Sequence, residues 1–338
     1  MFIVMFVPEQ LVVSLSEKYA NSSIGIIDFG LKRIFKVYLL EEDYDKNKLV
    51  ENLENIVIKI REESKTSSQK RLLNSLIQVL AHEGEEDRSN ELMDQFYEIS
   101  KLHQDTYIYR DPDPKRYTPL EKINFAFVHC LSRRKRLLLG LYAYLPALRG
   151  QDYNDISLVR LSPDSDLPKK FIELGNNFLD LESLSMVLGK YKTVKSYGLR
   201  IIKLPDMMRV ILGDYLGGRE SGFLFSDKGG EHYSGNTFSC VIRDTFEKEV
   251  GIKLGVDDLR KIYISEVLGY INRKSFNISE QKYIRTKISQ IQGHCLNTQE
   301  FLYSGHKFNQ ELPRSSDEYM KLILGIVDEM DVSFHKIE

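Results

Sequence analysis

Between residues 103 and 119 the chain reads HQDTYIYRDPDPKRYTP, and three prolines among a cluster of aspartates keep any long helix from passing through. That break limits what the chain can become, because the hydrophobic period is helical on both sides of it. From residue 11 to about 98 apolar residues recur at three- and four-residue steps, as in LVENLENIVIKI and LLNSLIQVLA, with ESKTSSQ at 63 to 69 as a connector. The pattern predicts a small helical bundle, then a linker, then a second domain. At 338 residues the chain has the length expected of roughly two domains.

After the linker the helical period returns from Leu120 to about Leu148, and then it changes. FLDLESLSMVLGKYKTVKSYGLRIIKLP is the one stretch with strand-like alternation, with Leu184, Met186 and Leu188 on one parity and LRIIKL following a turn that ends in Gly198. A β-hairpin or three-stranded antiparallel meander is expected there, set within an otherwise helical domain. Helices resume in MMRVILGDYL, NTFSCVIRDTFEKEV, VDDLRKIYISEVLGYI and SEQKYIRTKISQIQ. One more amphipathic helix closes the chain, with Ser316 as N-cap and Met320, Ile323, Leu324 and Val327 on one face. The expected class is mainly α with a small antiparallel β-meander. Its expected segments are a helical domain at 1–102, a linker at 103–119, a second domain at 120–310 and a C-terminal tail with a short helix at 311–338.

Several functions are disfavoured by composition. The opening MFIVMFV ends at Pro8 and has no basic residue ahead of it, and LLLGLYAYLPAL is too short for a bilayer, so neither a secretory signal nor a membrane span is expected. The three cysteines, Cys130, Cys240 and Cys295, are too few for a disulfide framework and lack metal-ligand spacing, which points to an intracellular, reducing compartment without structural zinc. A formal net charge of −2 does not by itself announce a nucleic-acid partner. Basic residues are concentrated locally, at Arg133, Arg134, Lys135 and Arg136 and again at Lys190, Lys192 and Lys195, while acidic stretches at 41–45 and 83–87 offset them.

The C-terminal region holds an oddly spaced pair in GHCLNTQEFLYSGH, where His294 precedes Tyr303 by nine positions. On one continuous helix nine steps of about 100° would put these side chains on opposite faces. The local sequence encodes a break instead: Gly293 suits the left-handed turn that stops a helix, and Asn297 with Glu300 three residues on can cap a new one. Both side chains are then free to face one point. Three further segments stand in order ahead of this pair: Arg149, with Asp152 three residues on, in YLPALRGQD; Lys192 in GKYKTVKSYG; and Arg260 in VDDLRKIY.

This succession of an Arg, a hairpin Lys, D-L-R, G-H and a Tyr nine residues later resembles the tyrosine recombinase (phage integrase-type) family. The resemblance spans about residues 120 to 306, and its best-matching parts are LRGQD, KYKTVKSYG, DLRK and GHCLNTQEFLY. YKTVKSYG and the long connector between Arg260 and His294 are similar to members from large eukaryotic DNA viruses and related mobile elements, for which the host nucleus or cytoplasm is the implied location. The resemblance implies that 1–102 is a DNA core-binding domain and 120–310 the catalytic domain, the two clamping duplex DNA. It also implies that four protomers assemble on paired sites and that no metal or other cofactor takes part. Tyr303 would attack the scissile phosphate to form a 3′-phosphotyrosine. Arg149 and Arg260 would clamp the transition-state oxygens, and His294 would donate to the same phosphate. A hairpin lysine would protonate the 5′-oxygen: Lys192, with Lys190 and Lys195 as alternatives. One position departs from the pattern: where the family usually has a His three residues before the second Arg stands Asp257, a carboxylate able to take the tyrosine proton or to orient Arg260. Two other readings fit a chain of this kind: a non-catalytic DNA-binding protein that keeps the fold, and a relaxing enzyme similar to type IB topoisomerases.

Overall fold

The structure is a computed structural model, and it describes residues 6–18, 21–63, 65–108, 114–161, 176–293, 296 and 312–335. The chain divides into two compact units, Met1–Arg110 and Asp111–Glu338.

The regular elements among the first unit's described residues are all helical: α1 Glu9–Lys18, α2 Asn21–Arg33, α3 Lys46–Glu51, α4 Leu53–Arg61, α5 Thr66–His82 and α6 Glu86–Ile108. The apolar face of α5, with Leu72, Leu73, Leu76, Val79 and Leu80, packs with Leu31, Ile34, Phe35, Ile56 and Ile60 into one core. Contact between α2 and α5 depends on Gly30, where a Cβ would collide with Ser75 Oγ. After α2 the chain widens into a π-turn over Ile34–Leu39 that ends on Leu40 in the left-handed region, and this turn buries Ile34, Phe35 and Tyr38 together. Three local details differ from expectation. Asn52 divides LVENLENIVIKI into α3 and α4, since its backbone leaves the helical region. The connector before α5 ends at Lys65, because Ser67, Ser68 and Gln69 already lie in the first turn of the helix. Finally, α6 continues to Ile108, inside the expected linker: proline disfavours helix mainly at the residue before it, and the first of the three is Pro112.

The second unit wraps helices around a small mixed sheet. Its elements are α7 Leu120–His129, α8 Arg133–Tyr144, α9 Gly150–Asn154, β1 Ile156–Val159, β2 Asn177–Asp180, β3 Ser185–Leu188, α10 Val194–Tyr197, β4 Leu199–Lys203, α11 Met207–Leu216, α12 Gly235–Val250, α13 Val256–Arg273, α14 Ile278–Gln292, α15 Asp317–Glu329 and β5 Asp331–His335. The strands lie in sequence order, with β1 parallel to β2 and every later pair antiparallel. The meander β2–β3–β4 is the alternating stretch of the sequence, with Leu184, Met186 and Leu188 buried in the main core. Val187 faces the other way and is buried as well, against Phe178 and Leu199. Both faces of the sheet are therefore covered, and the alternation in the sequence marks two buried surfaces instead of one wet and one dry.

The chain beyond residue 311 is part of this unit. Ser316 Oγ accepts the Tyr319 N–H as the N-cap of α15, and Tyr319, Met320, Ile323 and Val327 enter the unit's own core while β5 pairs along the edge of β4. A polar latch fixes the entry to α15. The buried Glu266 on α13 accepts the Tyr117 hydroxyl, lies 3.2 Å from Arg314 Nη1 and accepts the Ser315 N–H at 2.9 Å. Alongside it, Ser316 donates its N–H and its hydroxyl to the Glu121 carboxylate, each at 2.8 Å. No helix among the described residues is long and apolar enough to cross a membrane.

Candidate active site

The last carbonyls of an α-helix have no partner within it, and they form the negative end of its dipole. At the end of α14 these carbonyls face three arginines drawn from three other elements. Arg200, the second residue of β4, donates from Nη1 to the Gln290 and Ile291 carbonyls at 3.2 and 2.9 Å. Arg260, in α13, reaches the Gln292 carbonyl at 3.4 Å and the Ala147 carbonyl at 3.1 Å. Arg149, the N-cap of α9, reaches the Gly293 carbonyl at 3.4 Å, and Thr193 in the turn between β3 and β4 donates to the same oxygen at 3.4 Å. Residues 149, 193, 200 and 260, dispersed in the sequence, thus meet at the four residues immediately before His294.

Gly293 makes that convergence possible. It stops α14 with φ +68°, its N–H bonded back to Gln290, and a Cβ on it would collide with the Arg200 guanidinium. Gly293→Ala is therefore expected to destabilise the protein by about 2 kcal/mol, from backbone strain and the clash together. Urea denaturation of the two proteins measures it; a midpoint that does not move would show that Arg200 has room to yield.

The charge balance of the cluster is positive. Asp152 on α9 is nearly fully buried and accepts the backbone N–H of Arg149 at 3.4 Å, with its Oδ2 3.8 Å from Arg200 Nη2. Burial raises its carboxyl above the ordinary range, against the pull of Arg200, Arg149 and Arg260. Burial also lowers Arg200 to about 10, which leaves it charged at neutral pH. Among the described residues one carboxylate stands with three guanidinium groups, an arrangement that favours an anion. Arg149 Nη1 sharpens that preference, since it is buried and has no hydrogen-bond partner among the described residues. A buried N–H without a partner costs about 1–3 kcal/mol, which a phosphate oxygen would recover.

The hairpin lysines lie beside this cluster. Lys190, Lys192 and Lys195 are all exposed. Lys192 stands between Tyr191, whose ring lies under Arg200 at 4.5 Å, and Thr193, which touches Gly293. The backbone of Lys190 is pinned by the Asn177 side chain, which accepts its N–H at 2.8 Å and donates to its carbonyl at 3.0 Å. Lys195 is on the short outer turn α10.

Asp257 is exposed on the first turn of α13 and makes no ion pair among the described residues. Its neighbour Asp258 caps that helix, accepting the Gly255 N–H at 2.9 Å, and lies 3.7 Å from Arg116. Of the two roles open to Asp257, orienting Arg260 through a salt bridge does not match this geometry, because Arg260 is only 1% exposed and is held by carbonyls.

His294, Tyr303 and the expected cap at Asn297 and Glu300 lie outside the described residues. The basic run at the start of α8 is engaged within the fold: Arg133 and Arg136 with Asp214, Lys135 with Glu249, and Arg134 with the Tyr233 hydroxyl. Arg200 is the residue that sequence reasoning passed over. Its signal was a lone arginine among apolar residues in LRIIKL, where a strand buried on both faces has no solvent for it.

No family model matches the chain, and no curated protein matches it significantly. Among solved structures, that of XerA recombinase is similar over 93% of this chain and 95% of its own, with a TM-score of 0.39 and 16% identity. The integrase from mycobacterium phage Brujita is similar over 93% of this chain and 96% of its own, with a TM-score of 0.34 and 12% identity. At these values neither likeness carries weight by itself, and the function has to be inferred from the geometry of the cluster.

Proposed function

We propose that this protein is a DNA strand transferase that cuts and rejoins DNA through a 3′-phosphotyrosine, as a site-specific recombinase or integrase. The observation that carries the reading is that Arg149 and Thr193 of the Lys192 turn meet at the Gly293 carbonyl and Arg260 reaches the Gln292 carbonyl beside it, directly ahead of His294, with Arg149 Nη1 buried and without a partner among the described residues. A phosphate entering there gains a guanidinium edge in a site of net positive charge. In the proposed reaction Tyr303 Oη attacks phosphorus, the bond to the 5′-oxygen breaks, and the phosphodiester energy is kept in the tyrosyl ester for rejoining. Charge grows on the non-bridging oxygens in the transition state, where Arg149 and His294 would stabilise it, while Lys192 delivers the proton that the departing 5′-oxygen needs. Asp257, exposed and without an ion pair among the described residues, remains the candidate acceptor for the tyrosine proton. A tetramer on paired sites and a viral setting belong to the same proposal.

Phosphate contacts dominate the affinity of such proteins for DNA. The exposed lysines of the hairpin suit this task better than the run at 133–136, part of whose charge is offset by Asp214 and Glu249. The first 110 residues contain more acidic than basic side chains, so the second unit would supply most of the phosphate contacts.

A second reading has an observation in its favour. Arg260 is almost wholly buried and spends both terminal nitrogens on main-chain carbonyls, which suits a non-catalytic DNA-binding protein that keeps the arginine for its fold. A nicked suicide duplex, which traps a cleaved strand, separates the two. The proposed enzyme accumulates a covalent protein–DNA adduct; the rival binds the same duplex and gives none. Strand exchange between two duplexes, as opposed to relaxation of one supercoiled circle, then separates a recombinase from a topoisomerase-like enzyme.

A further inference from the structure

We propose that Arg200 is a positioning residue that registers Arg149, the Lys192 turn and the chain entering His294 against one another. The proposal rests on the strand-transferase reading and extends it to a residue with no part in the chemistry. Its basis is one rigid planar group with a different element on each side. Nη1 holds the Gln290 and Ile291 carbonyls, which fixes the end of α14. The face of the guanidinium stacks on Tyr191, whose hydroxyl donates to the Gly198 carbonyl at 2.7 Å and so closes the turn that carries Lys192. Nη2 points to Asp152, the carboxylate that receives the Arg149 backbone N–H. Gly293, where any side chain would meet this guanidinium, completes the arrangement.

Stability alone does not explain such a residue. A fully buried charge carries a desolvation penalty, and apolar residues of similar volume often replace buried ion pairs at no loss or with a gain. Leu199 beside it and Ile202 two residues on in β4 are apolar and equally buried. A guanidinium at this point differs from an aliphatic side chain in combining a donor group, a flat face and a charge, which meet the end of α14, the Tyr191 ring and the Asp152 carboxylate respectively.

The test compares the full-length chain with Arg200→Met and Arg200→Lys by two readouts, amide hydrogen exchange and adduct formation on the suicide duplex at saturating DNA. In Arg200→Met, exchange is expected to rise together in residues 149–153, 191–194 and 290–293 while α13 stays protected. Adduct formation falls about 100-fold with DNA affinity within about threefold, since small misplacements of reacting groups cost rate more than binding. Arg200→Lys, which keeps the charge but loses the planar edges, recovers about tenfold of that loss. Exchange that rises only beside β4, or evenly through the second unit in both variants, overturns the proposal. So does a fall in cleavage that simply follows a fall in affinity. If the wild-type chain forms no adduct, the strand-transferase reading fails, while the exchange pattern still decides whether Arg200 joins the three segments.

Discussion

Arg149→Met lowers the rate of covalent adduct formation about 1,000-fold while DNA affinity changes by no more than a few-fold, because removal of one preorganised donor to a developing oxyanion costs about 100- to 1,000-fold in rate. Arg149 stands at the N-cap of α9 with its backbone fixed by Asp152, and one end of its guanidinium is tied to the Gly293 carbonyl. The other end, Nη1, has no partner among the described residues, so it is preorganised for a group that arrives. Arg149→Lys is expected to restore little, since a point charge on a flexible stem does not reproduce the planar fork. Arg260→Met should behave differently. That side chain is buried against Ala147 and Gln292, so its loss lowers stability as well as rate. Single-turnover cleavage alongside equilibrium binding measures the contrast; equal rates for Arg149→Met and wild type would remove Arg149 from the chemistry.

Glu266→Ala is expected to destabilise the second unit by about 3–5 kcal/mol, the cost of breaking a buried ion pair and leaving its partner uncompensated. Three groups lose a carboxylate acceptor at once: the Tyr117 hydroxyl, Arg314 Nη1, which keeps its bond to the Tyr117 oxygen, and the Ser315 N–H. For a unit of this size the melting temperature should fall by on the order of 10 °C. Arg314 and Ser315 also follow Tyr303 closely in the sequence, so adduct formation should weaken below the melting transition as well. Circular-dichroism melts test the first effect, and a shift of less than about 2 °C would place the anchoring of α15 in its apolar face alone.

The parts of the fold legible in the sequence were those set by local chemistry. Gly293 stops α14 and Ser316 caps α15 because each supplies what a helix end needs within its own few residues. The meander was visible because Leu184, Met186 and Leu188 alternate beside a glycine-ended turn. β1 and β5 were hidden for a different reason: neither has a hairpin partner next to it in the sequence, and their pairing is set by the tertiary fold. Arg149 and Arg260 were found through their order along the chain. Arg200 was not, because its role depends on a helix end some 90 residues further on.

Trapping the full-length chain on a nicked suicide duplex, digesting it with protease and sequencing the DNA-linked peptide by mass spectrometry identifies the side chain that attacks the phosphate. A 3′-phosphate ester on Tyr303, absent in Tyr303→Phe, is the expected result. No adduct on saturating DNA, or a linkage to any other side chain, would contradict it.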